Sequence, residues 1–418
     1  MTSIRESVFC ALNRRFFYGW VILAACAAIF FCSGPGQSHT FSIFFGLIGD
    51  ELGISGTWIA SAYGGATLAA AFGLPYMGRL VDRVEIRRMM IVVAVLLGSS
   101  CVGFAAVGDA LWLAIGFALL RFFGQGCLML LCATLVAQWF ERRRGFAMGL
   151  IALGFAASMA VHPPLDQWLT EAVGWRQAGV WLGVITWALL LLMLLFIHDR
   201  PEEKGMKPDG AALDSDDSVP SRKGGLTLHQ AVRTPTFWII AAGLMAPSGL
   251  VTALFLYQVL IFETQGLSGA LAARVFALSG LVMVMSMPVI GRLLDRFRTE
   301  RIFSGALVLL AIIFVTITRV DYLAGAIVYA VLFGVMNAFN ITFCAYIWAR
   351  YFGRRHLGSI QGAGQVVGVV GAAVGPPPFG IAFDMVRNFT DVLLTLAVVP
   401  LAGGVLVLFL REPAGLHD

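Results

Sequence analysis

Arg121 stands inside the apolar run 110–138 of a 418-residue chain, about eleven residues from its start, which at ~1.5 Å of rise per residue puts it ~17 Å along a helix. A guanidinium at that depth is too far from water for its stem to carry the charge out. No Asp or Glu falls within an apolar run at the same depth. Its partner is therefore a backbone carbonyl, an amide such as Gln37 or Gln125, or an anion from outside the protein. A forked cation waiting in an apolar setting is the chemistry of carboxylate recognition. Other chemistry finds no footing. Six histidines are scattered, and there is no metal-ligand spacing, no glycine loop with its lysine, and no Ser/His/Asp set at one depth. Neither an enzyme, a cofactor nor a metal site is expected.

The second polar feature is a break. "FCSGPGQSHTF" (31–41) interrupts an apolar run on both sides, and Pro35 removes a backbone donor and frees the carbonyl four residues earlier. In a membrane that is tolerable only against protein or a water-filled cavity, which makes Gln37 and His39, with Ser38 and Thr40, candidates to face such a cavity. Shifted by 212 residues, "SGPG" falls on "MAPS" (245–248), so an equivalent interruption is expected at Pro247. Weaker candidates are Asn337 and Asn340 beside Thr342, Gln361 and Gln365 four apart on one helix face, and His162 before two prolines.

These residues need elements to hold them. With 59% hydrophobic and 13% charged residues, the chain has too little polar surface for water. Windows of about 20 residues give twelve spans, all of helical length: 17–47, 57–77, 89–108, 110–138, 146–165, 178–197, 236–262, 270–290, 302–318, 322–349, 359–383 and 391–411. Basic residues collect in the N-terminal tail, in alternate loops and in the linker, with only Arg176, Arg274, Arg319 and Arg387 on the other side. Both termini are therefore expected in the cytoplasm of a multi-pass protein of the cell (inner) membrane. The net charge of +5 is a topology signal, and no nucleic-acid partner is expected. Cysteines show no paired spacing and read as apolar filler. Tyr18, Trp20, Trp139 and Trp348, at span ends, read as an interfacial belt.

The stretch 199–234, rich in Gly, Pro, Ser and charge, reads as a cytoplasmic linker between helical bundles at 1–198 and 235–418. The halves repeat. "GRLVDR" (78–83) returns as "GRLLDR" (291–296), Pro75 as Pro288, Gly145 as Gly358, and Pro163–Pro164 as Pro376–Pro377, all shifted by 213. Six spans per copy make the repeats parallel.

"GRLVDRVEIRR" (78–88) and "RFFGQG" (121–126), on this frame, resemble the loop and fourth-helix motifs of the major facilitator superfamily. "RFFYGWVIL" (15–23) is similar to its monocarboxylate and oxalate branch. The resemblance implies twelve transmembrane helices in two six-helix bundles and alternating access driven by a gradient. It also implies a cytoplasmic latch at Asp82, Arg83, Arg142, Asp295 and Arg296, where a carboxylate can cap helix N–H groups and pair with loop arginines. The expected substrate is a small, monocarboxylate-like organic anion with a proton coupled to it, bound by Arg121, Gln37, His39, Gln125, Asn337, Asn340, Gln361 and Gln365. A monomer in the bilayer is expected. The branch places Arg before the helix 8 proline, where this chain has Met287. An exporter of amphiphilic or drug-like compounds is therefore the alternative, and a transport-dead membrane sensor the third reading.

Overall fold

A computed structural model describes residues 9, 13, 16–81, 84–140, 143–193, 195–204, 206–210, 226–353 and 357–413. These residues are helical nearly throughout, as they must be where a bilayer offers no partner for backbone N–H and C=O groups. In chain order the first half contains α1 (Gly19–Cys32), a 3-10 turn (Gly34–Gly36), α2 (Ser38–Leu52), α3 (Gly56–Val81) and α4 (Ile86–Phe104). Next come α5 (Ala110–Leu120), a π-helical segment (Arg121–Leu128), α6 (Met129–Trp139) and α7 (Arg144–Met193). The second half has α8 (Leu228–Ala231), α9 (Pro235–Thr264), α10 (Gly269–Arg296), α11 (Thr299–Ile317) and α12 (Leu323–Phe352). It closes with α13 (Leu357–Val374), α14 (Pro377–Val386), α15 (Thr390–Leu396) and α16 (Val398–Val407).

Among the described residues nine helices are long and apolar enough to cross a membrane. One of them is α7, which bends at Gly174 (φ 79°, ψ 159°) and so supplies two of the expected twelve spans. The remaining two are α1 with α2, split by the break, and α3. Side chains close the helix starts. Asp109 accepts from Trp112 N–H at 2.9 Å, and Ser268 from Leu271 N–H at 3.2 Å, each replacing a bond the first turn cannot make for itself.

The 213-residue shift reappears in backbone handedness. Gly53 and Gly266, both with positive φ, follow the first helix of each half, while Gly174 and Arg387 turn the fifth span of each half into the next. Two expectations fail here. α9 runs unbroken through Pro247, because one proline without the flanking glycines of "GPG" removes a single bond and the helix continues. Tyr18, Trp139 and Trp348 are buried and form no belt. Trp139 donates to His198 O at 3.0 Å and Tyr18 to Phe196 O at 3.0 Å, as the chain after the sixth span folds back over these helix ends. Trp348 packs on Phe237, with ring centroids 5.3 Å apart.

Contacts divide the chain into two compact units, Met1–Phe41 with Ala69–Asp217, and Ser42–Leu68 with Ser218–Asp418. Within the second unit, the stretch 42–68 packs against C-terminal helices. Asp384 of α14 accepts from the N–H groups of Gly56 and Thr57, both at 2.8 Å, and so caps α3. Ser42 Oγ accepts from Val259 N–H at 3.3 Å, and Tyr257 donates to Gly56 O at 3.3 Å.

Candidate functional site

The break in the first span is built as its sequence demands. α1 stops at Cys32, a single 3-10 turn follows, and Gln37 is extended (φ −98°, ψ 153°) before α2 resumes. Because Pro35 has no N–H, the orphaned carbonyl is that of Phe31. His162, on the first arm of α7, stands 3.1 Å from it through Nε2. A carbonyl can only accept, so Nε2 carries the hydrogen and Nδ1 of the neutral ring is a lone pair. The turn exposes a second carbonyl, Gly36 O, and Arg121 Nη1 donates to it at 3.2 Å. Arg121 is 3% exposed. The intramembrane cation and the broken helix therefore meet, and a backbone carbonyl, the first of the three partners that the sequence allowed, is among the contacts of Arg121.

Two glycines make this approach possible. A Cβ on Gly36 would stand 2.5 Å from Leu120 O, and one on Gly124 would stand 2.9 Å from the Cα of Gly36. The first-span break and the fourth span thus meet backbone to backbone. The fourth span is widened there into a π segment, a form that recurs at functional positions. Gln37 is buried and donates to Ser33 Oγ at 3.2 Å. His39 is buried, 3.2 Å from Ser158 Oγ. Gln125 is half-buried in the π segment, its backbone N beside Gly36. Arg121, Gln37, His39 and Gln125 thus gather around one break in the first unit.

The candidates of the second unit form no comparable cluster. Asn337 is buried but donates to Phe333 O of its own helix at 2.8 Å. Asn340 is half-buried and accepts from Cys344 Sγ at 3.7 Å. Gln361 is half-buried and Gln365 exposed. Asp82, Arg83 and Arg142 lie outside the described residues. Arg296, in the last turn of α10, is exposed, and Asp295 precedes it there. A cavity of about 450 Å³ beyond that helix end is lined by Arg298, Glu300, Arg350 and Glu412. Arg411 lines it as well, and of the other charges Arg298 pairs with Glu300 and Arg350 with Glu412, both at 2.6 Å.

Sequence reasoning missed Asp166. The fifth span was expected to stop at 165, where two prolines and polar residues suggest a loop, yet α7 continues through Pro163 and Pro164 and buries Asp166 completely. Each of the two prolines removes one backbone donor, and the helix continues across both. The missed signal is spacing. Ser158, His162, Asp166 and Thr170 recur every fourth residue and so form one polar stripe on a helix face.

The chain belongs to the major facilitator superfamily, whose family model matches residues 23–376. It is 25% identical to Monocarboxylate transporter 3 of Rattus norvegicus over 89% of this chain and 75% of that one. It is also 25% identical to the Aspyridones efflux protein apdF of Emericella nidulans, over 65% of this chain and 52% of that one. Among solved structures it is similar to a bacterial homologue of the human lysosomal transporter Spinster, described as inward-facing and unoccupied. The TM-score is 0.66 at 15% identity, covering 94% of this chain and 95% of that one. The protein is accordingly a multi-pass membrane transporter of small molecules with the major facilitator fold, and not an enzyme.

Proposed function

We propose that the protein is a secondary transporter that carries a small, monocarboxylate-like organic anion across the cell membrane by alternating access, in symport with a proton. The observation that carries this reading is the buried guanidinium of Arg121, held at the unwound backbone of the first span. A neutral carbonyl such as Gly36 O supplies no countercharge to a buried cation. A carboxylate presented to the same fork would supply a charge-assisted, two-pronged contact. The relative named as a monocarboxylate transporter supports the substrate class.

In this reading Arg121, Gln37, His39 and Gln125 are the substrate contacts of the first unit, and Asn337, Asn340, Gln361 and Gln365 those of the second. Asp82, Arg83, Arg142, Asp295 and Arg296 form the cytoplasmic latch, both termini and the 199–234 linker are cytoplasmic, and the protein works as a monomer. A second reading, export of amphiphilic compounds, draws on Met287 directly before Pro288 and on the relative named as an efflux protein.

Arg121 decides between them. Lactate and pyruvate should raise the thermal midpoint of the purified protein. Arg121→Gln should remove that shift, and Arg121→Lys should weaken binding by about tenfold or more, since a point ammonium cannot form the fork. If Arg121→Gln binds either anion as tightly as the native protein, the anion reading fails. If a lipophilic cation stabilises the protein and neither anion does, the export reading replaces it.

A further inference from the structure

The least comfortable group in the first unit is Asp166. Its residue is fully buried, and neither carboxylate oxygen has a hydrogen-bond partner. Around it lie three more orphaned polar atoms: Thr170 Oγ1 one turn further along α7, His162 Nδ1 one turn back, and Thr40 Oγ1. Thr40 of α2 approaches the carboxyl without reaching hydrogen-bond geometry. From α4 the Cys101 thiol lies within electrostatic range of it. His39 lies within electrostatic range of both His162 and Arg121. Arg176, after the bend in α7, donates to Ala105 O and Val107 O at 2.9 and 2.6 Å.

An isolated aspartate anion in such a place costs several kcal/mol, whereas the neutral acid costs no more than an orphaned hydroxyl. We propose that Asp166 is a proton-binding site, occupied in this conformation and emptied when the seam between the first span and α7 loosens, with His162 as its proton partner. The handover balances. The O–H bond of Asp166 breaks and an N–H bond forms at Nδ1, the free lone pair of His162, leaving an aspartate and an imidazolium one helical turn apart. The hydroxyls of Thr40 and Thr170 can rotate to donate to the carboxylate once it forms, so both charge states find support at one place. Arg121 connects to this pair through His39, which lies within electrostatic range of both Arg121 and His162. An anion seated on its fork would lower the cost of a nearby imidazolium and tie proton to substrate.

This inference extends the transport reading above by naming where its coupled proton rests, and its test does not require the substrate. The full chain in lipid nanodiscs is titrated by difference infrared spectroscopy. A protonated carboxylic acid C=O band should be present at neutral pH, disappear at alkaline pH, shift on carboxyl-13C aspartate labelling, and be absent in Asp166→Asn, which keeps the size of the side chain. His162→Gln should move the midpoint without abolishing the band. A band that is missing from the native protein, survives in Asp166→Asn, never titrates, or responds to sodium in place of pH overturns the proposal. In vesicles, a one-unit pH gradient should drive about tenfold accumulation of lactate through a one-to-one symporter. Asp166→Asn should lose that accumulation and keep lactate–lactate exchange. Lactate accumulation equal to native in Asp166→Asn also overturns the site. A native protein that shows the band but moves no lactate upholds the proton site and refutes the substrate class.

Discussion

His162 shows how one side chain can serve structure and chemistry through different atoms. Its Nε2 closes the carbonyl that Pro35 leaves open, and its Nδ1 remains available on the face shared with Asp166. Replacing the ring with leucine should leave a buried carbonyl without a donor, a cost of about 1–3 kcal/mol. His162→Gln, which retains an N–H, should cost less. Thermal unfolding of the purified variants, ranked native, then Gln, then Leu, checks this, and equal midpoints for Gln and Leu would show that the hydrogen bond contributes nothing. At this scale the sequence was informative wherever a residue type was out of place. Arg121 in an apolar run and "GPG" inside a span each announced themselves. Asp166 did not, because it sits beside Pro163 and Pro164, and two prolines with a carboxylate look like a loop until the four-residue stripe from Ser158 is noticed.

Among the elements, the break in the first span and the bend in α7 were of unequal visibility. The break was legible because glycines flank the proline. Its supposed twin at Pro247 was not one, since "MAPS" lacks them and α9 passes straight through. The bend at Gly174 falls between the spans expected at 146–165 and 178–197, so a turn was expected there, but nothing singled out the residue that makes it. Its backbone lies where almost only glycine goes, and nothing stands within 4 Å of the place a Cβ would take. Gly174→Ala should therefore cost about 1–3 kcal/mol through backbone strain alone. Gly149, in the straight part of the same helix and equally uncrowded, provides the contrast, because Gly149→Ala should stabilise by roughly 0.5–1 kcal/mol. Melting temperatures that fall together would place the cost in packing and refute the strain account.

For the whole molecule, a repeat of 213 residues foretold two like halves, and the positive φ of Gly53 and Gly266, which no motif had marked, keeps the same shift. It did not foretell that 42–68 would pack with the C-terminal helices, since no motif records that contact. Asp384 is the main polar tie there, with two N–H groups of α3 at 2.8 Å. Removing such a cap costs about 1–2 kcal/mol. In a transporter balanced between states, that is enough to change a population ratio about tenfold. Asp384→Ala should thus raise the labelling rate of a cysteine introduced at Ser42, measured with a membrane-impermeant thiol reagent in cells. Tyr257→Phe, which loses one longer bond, should raise it less. An unchanged rate in Asp384→Ala would make the cap a local helix stop with no say in the opening of that end.

The widened segment Arg121–Leu128 has a mechanical consequence. Its hydrogen bonds skip one residue more than those of α5 and α6, so the fourth span stores a surplus residue between two regular rods. Each residue of an α-helix turns the chain by about 100°. If the surplus migrates by one position, a side chain at the trailing edge swings by about that angle while both rods stay in their grooves. Arg121 occupies the first position of this segment. Such a shift would carry the guanidinium off the Gly36 carbonyl by a screw motion inside a single helix, as a bolt is drawn without moving the door.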